Sequence, residues 1–426
     1  KNMKLIIYAV ILSLFSLNWL CFKWQLIPRY VTWFPELVSL LILPYIIFTA
    51  VRKKSFNFSF KYIVCILVFI LVMILSFILN SVSPGVMFSG MRIYLRYIPF
   101  FLLPAVWDIS EKEFKRLLIF IFVLMCAQLP VVLYQRFIKY NTALSGDPMG
   151  GTLGANTSGV LSVLILLVLC VYVALYLKNR ISFLPFIVGF FVVFLPTTMN
   201  ETKITFALLP FCFLISSVIG KTDLRKMARI LMLFLVMAVS LVVLKNIYDH
   251  FQMKRWEYGI TTFMEQKGRL KHYADARLNP IYKTLDKISS DPVFFLFGVG
   301  AGNASSSFSG EAMSGKYLLE MSQGGRVVAG IVVLAWEIGF VGLFTGFVLF
   351  SFLIWDSLKL SQEDSLYGAV ALGMVSVVLM FGVTSLYFNL VQVKVINILF
   401  WLFAGFVVRQ AAISGGRANP PNEWAL

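Results

Sequence analysis

Charged side chains are scarce in this chain. Only 13% of its 426 residues are Asp, Glu, Lys or Arg, while 59% are hydrophobic and the mean hydropathy is +0.85. A soluble domain carries about one quarter charged residues, so this composition excludes one and makes the bilayer the expected solvent. Histidine is rarer still, with two residues, and the five cysteines, Cys21, Cys65, Cys126, Cys170 and Cys212, fall singly inside apolar runs. No Cys, His, Asp or Glu spacing matches a zinc site or a disulfide framework, so no metal is expected and the cysteines read as packing residues. Acidic residues number 20 against 37 Lys and Arg, a formal charge of +17. The surplus sits mostly at the ends of apolar runs, which argues against nucleic acid as a partner. The Gly298-Val299-Gly300-Ala301-Gly302-Asn303 run lacks the Lys-Ser/Thr of a P-loop and any βαβ surroundings. Nucleotide-driven chemistry is therefore unsupported, and these glycines fit a sharp turn or close backbone approach.

What the chain has in abundance is apolar runs of about 20 residues, the length that crosses a hydrocarbon core of about 30 Å. Their continuous apolar character excludes the alternating pattern of a membrane barrel, and lipid leaves helices as the remaining solution. The expected fold is all-α and polytopic, with about twelve transmembrane helices and one large extracytoplasmic loop. Spans are placed near 5–22, 33–51, 62–80, 92–107, 117–138, 157–177, 181–199, 204–219, 230–247, 327–355, 367–388 and 390–408. The organisation is then an N-terminal bundle over 1–247, a loop over 248–326 with short helices, a C-terminal group of spans over 327–409 and a tail over 410–426. Leu5 to Phe22 reads as an uncleaved first span, since no small-residue cleavage site precedes Lys23.

Short connections carrying Arg52, Lys53, Lys54 and Lys61, then Lys112, Lys115 and Arg116, then Lys178 and Arg180, then Lys221, Arg225, Lys226 and Arg229 all fall on one side. The positive-inside rule makes that side cytoplasmic, together with both termini. The loops 81–90, 140–158 and 197–203, and the long Tyr248–Arg326 segment, then face outward. Within that segment Asn279-Pro280 reads as a helix start followed by an apolar stripe of Ile281, Leu285 and Ile288. The stretch from Gly298 to Gly315 reads as mobile or as tight turns.

Several outward cations lie at or inside span ends: Arg92, Arg96, Arg136, Lys203, Lys245, Arg255 and Arg326. An Arg or Lys deep in a membrane costs about 2.5–3.5 kcal/mol on insertion scales, so each marks a partner or a water-filled cavity unless it snorkels to headgroups. Arg92 and Arg96, four apart on one helical face, have the spacing to grip a phosphate with parallel N–H donors. Asn200-Glu201-Thr202-Lys203 has the composition of a site, with an ordinary charged turn as the alternative. His250 and His272 both fall in the long outer segment, and His272 is three residues from both Arg269 and Asp275. Either is a candidate general base near neutral pH, the alternative being an exposed surface histidine.

In layout over most of its length, and more sharply over Thr197 to Gly342, the chain resembles the O-antigen ligase and polymerase superfamily, multispanning glycosyltransferases that act on undecaprenyl-diphosphate-linked sugars. The likeness rests on the Asn200-Glu201-Thr202-Lys203 turn before a span, and on Arg277 ahead of Asp291-Pro292 and Phe297-Gly298-Val299-Gly300. It rests also on Trp336-Glu337-Ile338-Gly339, similar to the family's Glu-x-Gly, and on the earlier Gly151-Thr152-Leu153-Gly154-Ala155-Asn156. Two departures matter. Thr202-Lys203 stands where the family commonly has Ser-Arg, which keeps a cation and loses bidentate geometry. Val328-Ala329 stands where ligases carry His-Asn, which favours a polymerase over a ligase.

The resemblance implies a polymerase that joins undecaprenyl-diphosphate-linked repeat units into a surface polysaccharide on the outer face of a bacterial inner membrane. It implies lipid-linked glycans as donor and acceptor, a chain-length regulator protein as a further partner, and no cofactor. Arg277, Lys203 and Arg96 are expected to hold and discharge the leaving diphosphate, with Arg92 beside them and Arg326 in reserve. Glu201 is the first candidate base and His272 the second. A ligase using the same donor and a non-enzymatic flippase for lipid-linked oligosaccharide are the two rival readings. A flippase design normally lacks a large outer loop, and a two-halved transporter places its long loop on the cytoplasmic face.

Overall fold

The computed structural model describes residues 2–53, 56–140, 148–200, 203–220, 223–232, 291–305, 313–318, 329–386 and 388–418, together with 282, 285–286 and 288–289. All regular structure among them is helical: α1 (Asn2–Asn18), α2 (Phe34–Lys53), α3 (Phe60–Leu79), α4 (Pro84–Leu95), α5 (Ile98–Leu102), α6 (Glu111–Cys126), α7 (Gln128–Tyr134), α8 (Ser158–Leu177), α9 (Phe183–Met199), α10 (Lys203–Ile219), α11 (Pro292–Phe297), α12 (Gly330–Leu360), α13 (Leu366–Ser385) and α14 (Lys394–Ala418). The chain is an all-α polytopic membrane protein. Nine helices among the described residues are long and apolar enough to cross a bilayer. Two further expected spans correspond to α9 and α10, of 17 residues each. The span expected at 230–247 lies outside the described residues beyond 232.

The outward surface is what a bilayer requires. Leu40, Leu41, Phe60, Leu67, Phe344 and Phe347 are largely exposed, and contiguous apolar area of this kind is not tolerated in water. The centre is formed by α8 and α13, buried along nearly their whole length. They approach closely because α13 carries small residues at the contact: a side chain at Gly373 would meet the backbone of Val171. A Ser216–Ser376 hydroxyl pair at 2.9 Å joins α10 to α13 within this layer.

Successive spans alternate in direction, so polar contacts collect at two ends. At one end Lys53 and Arg409 hold Asp108, Lys61 and the Tyr62 hydroxyl hold Asp356, Arg180 holds Asp364, and Lys4 holds Glu113. Ser110 caps α6 there by accepting the Glu113 amide at 3.3 Å, with Glu111 and Glu113 in the first turn. At the opposite end lie Glu36, Arg92, Arg96 and Lys394.

The fourth expected span differs from its placement at 92–107. Helix begins at Pro84, a proline at the first helical position, and runs through α4, a short α5 and a 3-10 turn ending at Ala105. Most of the expected loop 81–90 is therefore helix. A hydropathy window stops at Arg92 because it weighs charge by sequence position, whereas here both arginines are held inside the bundle by a carboxylate from another helix.

The Gly298–Ser305 stretch is a packed turn. Gly298, Gly300 and Gly302 have φ of 69°, 101° and 87°, a region open to glycine at little cost. The turn lies against α12, which breaks at Gly339 (φ 61°, ψ −167°). The break frees carbonyls of the helix ladder, and the turn satisfies them: the Val299 amide donates to Trp336 O at 2.6 Å and the Gly300 amide to Glu337 O at 3.2 Å. Ile288, from the expected apolar stripe, is buried beside Val299 and Val333, whereas Leu285 is exposed. Asn279, Pro280 and Ile281 lie outside the described residues.

Candidate anion site at the Lys394 end

Helix α4 presents two adjacent stripes. Ser89, Arg92, Ile93 and Arg96, at helical spacing, line a cavity of about 450 Å³. Lys394 at the start of α14 enters from the opposite wall. Glu36 of α2, nearly buried, binds all three cations: Arg92 Nε lies 3.1 Å from Oε2, and Arg96 Nη1 and Lys394 Nζ each lie 2.8 Å from Oε1. Backbone carbonyls complete the arrangement, since Arg96 also donates to Gln392 O at 3.1 Å and Lys394 to Thr32 O at 3.2 Å. The Trp33 ring lies 4.9 Å from the Arg92 guanidinium and the Tyr97 ring 4.8 Å from that of Arg96, which restricts both planes.

Among the described residues, three cations face the one carboxylate of Glu36 inside a largely apolar bundle. Charge so placed is costly, so its clustering on one wall of a cavity marks the place as a candidate site. The remaining lining is mixed: Thr157 and Gln392 supply polar groups, and Leu14, Leu17 and Val160 supply apolar wall. That combination suits an amphiphile with an anionic head.

The neighbouring stripe of α4 carries Gly90 and Tyr94 and meets the glycine turn. A side chain at Gly90 would run into the Ala301 carbonyl, so only glycine permits this approach. The Tyr94 hydroxyl donates to Glu337 Oε2 at 2.7 Å, while Oε1 accepts the Ala304 amide at 3.2 Å. Glu337 is fully buried. Its carboxylate is thus committed to bracing the turn against α4 and α12, and the geometry gives it no access to the cavity lined by the arginines.

A third element closes the cavity. The Gly151–Leu153 turn is clamped by side-chain amides: Gln135 donates to Gly151 O at 2.8 Å and accepts its N–H at 2.9 Å. Gln128 accepts the Thr152 amide at 2.9 Å, and Asn18 donates to Leu153 O at 3.3 Å. Leu153 and Thr157 from this segment line the cavity. The Gly151–Asn156 stretch and the Glu337–Gly339 stretch, far apart in sequence, therefore flank the arginine helix from two sides.

Of the residues singled out in the sequence, Arg92 and Arg96 come together on one face of α4, where Arg96 donates to Glu36 and Arg92 is ion-paired with it. Lys203 is the first residue of α10, with its side chain outside the described part. Glu201, His272, Arg277 and Arg326 lie outside the described residues. Asn200 is buried and bonded to Ser162 and to the Ser158 carbonyl, a brace between α8 and α9. Arg136 is buried with Nη1 3.9 Å from the Met149 sulfur. Glu36 and Lys394 were not singled out, yet the rule that flags an intramembrane Arg applies equally to a Glu or Lys inside an apolar run. No group of three His, Cys, Asp or Glu able to hold a metal occurs among the described residues. The fold and this cavity define a polytopic membrane protein with a cation-lined site at one end of its bundle. No protein-family model matches the chain, and no match is found among curated proteins.

Proposed function

We propose that the protein is a membrane glycosyltransferase, a polymerase that joins polyprenyl-diphosphate-linked oligosaccharide units into a polysaccharide. The observation that carries the reading is the convergence of Arg92, Arg96 and Lys394 on the single carboxylate of Glu36 in an amphiphilic cavity. A diphosphate esterified at both ends carries one negative charge on each phosphoryl group, which suits a cavity wall built from guanidinium and ammonium groups. The positive-inside rule supports an outward-facing cavity, because the cation-rich short connections lie at the other end.

In the reaction an acceptor sugar hydroxyl attacks the anomeric carbon of the donor. A new glycosidic C–O bond forms, the bond from that carbon to the diphosphate oxygen breaks, and the hydroxyl proton passes to a base. The carrier diphosphate departs with added negative charge, and guanidinium and ammonium groups already in place stabilise it. Arg277, Lys203 and Arg326 join the cations of this proposal, and Glu201 and His272 are its candidate bases, on the strength of the sequence resemblance.

The test uses purified protein in nanodiscs with a panel of polyprenyl-diphosphate oligosaccharides, read for longer glycans and for released carrier diphosphate. Chain elongation that is lost in Arg96→Ala and Lys394→Ala supports the proposal. Transfer of the glycan to a non-polyprenyl acceptor would make it a ligase. Movement of the lipid across the bilayer without bond formation, or no binding of polyprenyl diphosphate above polyprenol, would overturn it.

A further inference from the structure

A second and larger cavity, of about 610 Å³, opens on the flank of the bundle where α6 faces α8, α13 and α14. Its wall is almost wholly apolar, with Leu118, Val168 and Phe403 among its residues, and the stacked Phe122 and Tyr172 rings, 4.4 Å apart, also line it. Charge is confined to one end, which is the end of the bundle carrying Asp108. There Lys112, Lys115 and Arg180 line the cavity with Glu111. Glu111 is engaged in accepting the Leu366 amide at 3.2 Å, and Arg180 is bonded to the largely exposed Asp364 at 2.7 Å. With both carboxylates counted, the described residues of the mouth keep a positive surplus.

We infer that this cleft is a binding site for one anionic phospholipid of the adjoining leaflet, with its phosphate at Lys112, Lys115 and Arg180 and an acyl chain between α6 and α8. The pairing of an apolar slot with cations at one end matches a lipid whose charge sits at one end of its chain. Basic residues at that level attract anionic lipid, whereas an apolar slot alone accepts any acyl chain. The site lies at the opposite end of the bundle from Arg92, Arg96 and Lys394, and it stands independently of the proposed catalytic reading.

The test offers purified full-length protein phosphatidylglycerol or phosphatidylcholine of matched acyl chains and counts bound lipid by native mass spectrometry. Phosphatidylglycerol is expected to bind roughly tenfold more tightly, and the Lys112→Gln/Lys115→Gln variant to lose that preference. Both lysines are exposed, so the variant leaves the packing intact. Val168→Trp, which fills the slot, is expected to reduce binding of both lipids in protein that stays folded. Equal affinity for the two lipids, an unchanged preference in the lysine variant, or stronger retention of a polyprenyl phosphate than of phosphatidylglycerol would each overturn the inference.

Discussion

Arg96 reaches back 60 residues in sequence to set Nη1 2.8 Å from Oε1 of Glu36. The same oxygen holds Lys394 Nζ at 2.8 Å, so one carboxylate ties together α2, α4 and α14. It serves as both a structural tie and an anion already seated among the cations.

Removing that anion should cost stability more than removing any one cation. Glu36→Ala leaves three cations facing one another, and breaking a buried charge pair from one side costs about 3–5 kcal/mol. Arg96→Ala leaves Glu36 with Arg92 and Lys394 but strips the Gln392 carbonyl of its donor, so the loss should be lower, about 1–3 kcal/mol, the range for a buried polar group left without a partner. Unfolding in detergent followed by intrinsic fluorescence checks the order; a larger loss in Arg96→Ala would show that Glu36 is not the centre of the cluster.

Glu36→Gln keeps the shape and removes the charge. An incoming diphosphate then no longer competes with a resident carboxylate for the Arg92, Arg96 and Lys394 donors. Affinity for polyprenyl diphosphate should rise by roughly tenfold with a steeper salt dependence, even as the melting temperature falls. Titration at two ionic strengths measures it, and unchanged or weaker binding would mean that the ligand does not meet these cations.

Much of the scaffold was readable from composition alone, because apolar runs of span length have few alternatives in a bilayer. Arg92 and Arg96 were readable for the same reason, as costly cations at a span end. Glu36 and Lys394 fall under the same rule, but what the sequence hides is their partnership: only the fold brings them together, and the Arg96–Gln392 contact joins residues 296 apart. The break in α12 was equally hidden: Glu337-Ile338-Gly339 reads as helix, and only the glycine turn arriving from outside the helix gives the freed carbonyls partners.

The glycine turn predicts two sensitive positions. Gly339 has a backbone conformation that side chains rarely adopt, so Gly339→Ala should cost about 1–3 kcal/mol. Gly90→Ala has an ordinary helical backbone but meets the Ala301 carbonyl, so α4 and the turn must separate. Melting temperatures of Gly90→Ala and, as a control, Gly346→Ala, whose added side-chain carbon would meet nothing, distinguish close approach from helix propensity. Equal melting temperatures would remove the close-packing account.

Tyr94→Phe deletes one donor to a buried carboxylate and changes little else. Hydrogen bonds to charged groups contribute about 1.5–3 kcal/mol, so a loss of that order is expected if Glu337 is ionised. Pairing Tyr94→Phe with Glu337→Gln in a double-mutant cycle isolates the contact, and strict additivity would contradict the 2.7 Å bond.

Acid should loosen the other end of the bundle at Asp108. Its carboxyl is held below the usual range by the hydrogen bond from Lys53, with the Lys53 charge and then Arg409 adding to the effect and outweighing partial burial. An Asp in an unfolded chain titrates near about 3.9. With the folded value lower, the unfolded state binds the proton more readily, so the stabilising contribution is complete above that unfolded value. It is lost as pH falls through the folded one. Lys53 Nζ at 2.6 Å and Arg409 Nη2 at 2.8 Å both release their partner when Asp108 is protonated, which frees the α2 end from the α14 end. The side chain is 67% exposed, so salt should weaken the effect. Asp108→Asn is expected to flatten the acid limb of the stability profile and to leave the neutral-to-alkaline limb parallel to that of the parent protein. A variant that loses stability equally at every pH would assign Asp108 a packing role instead.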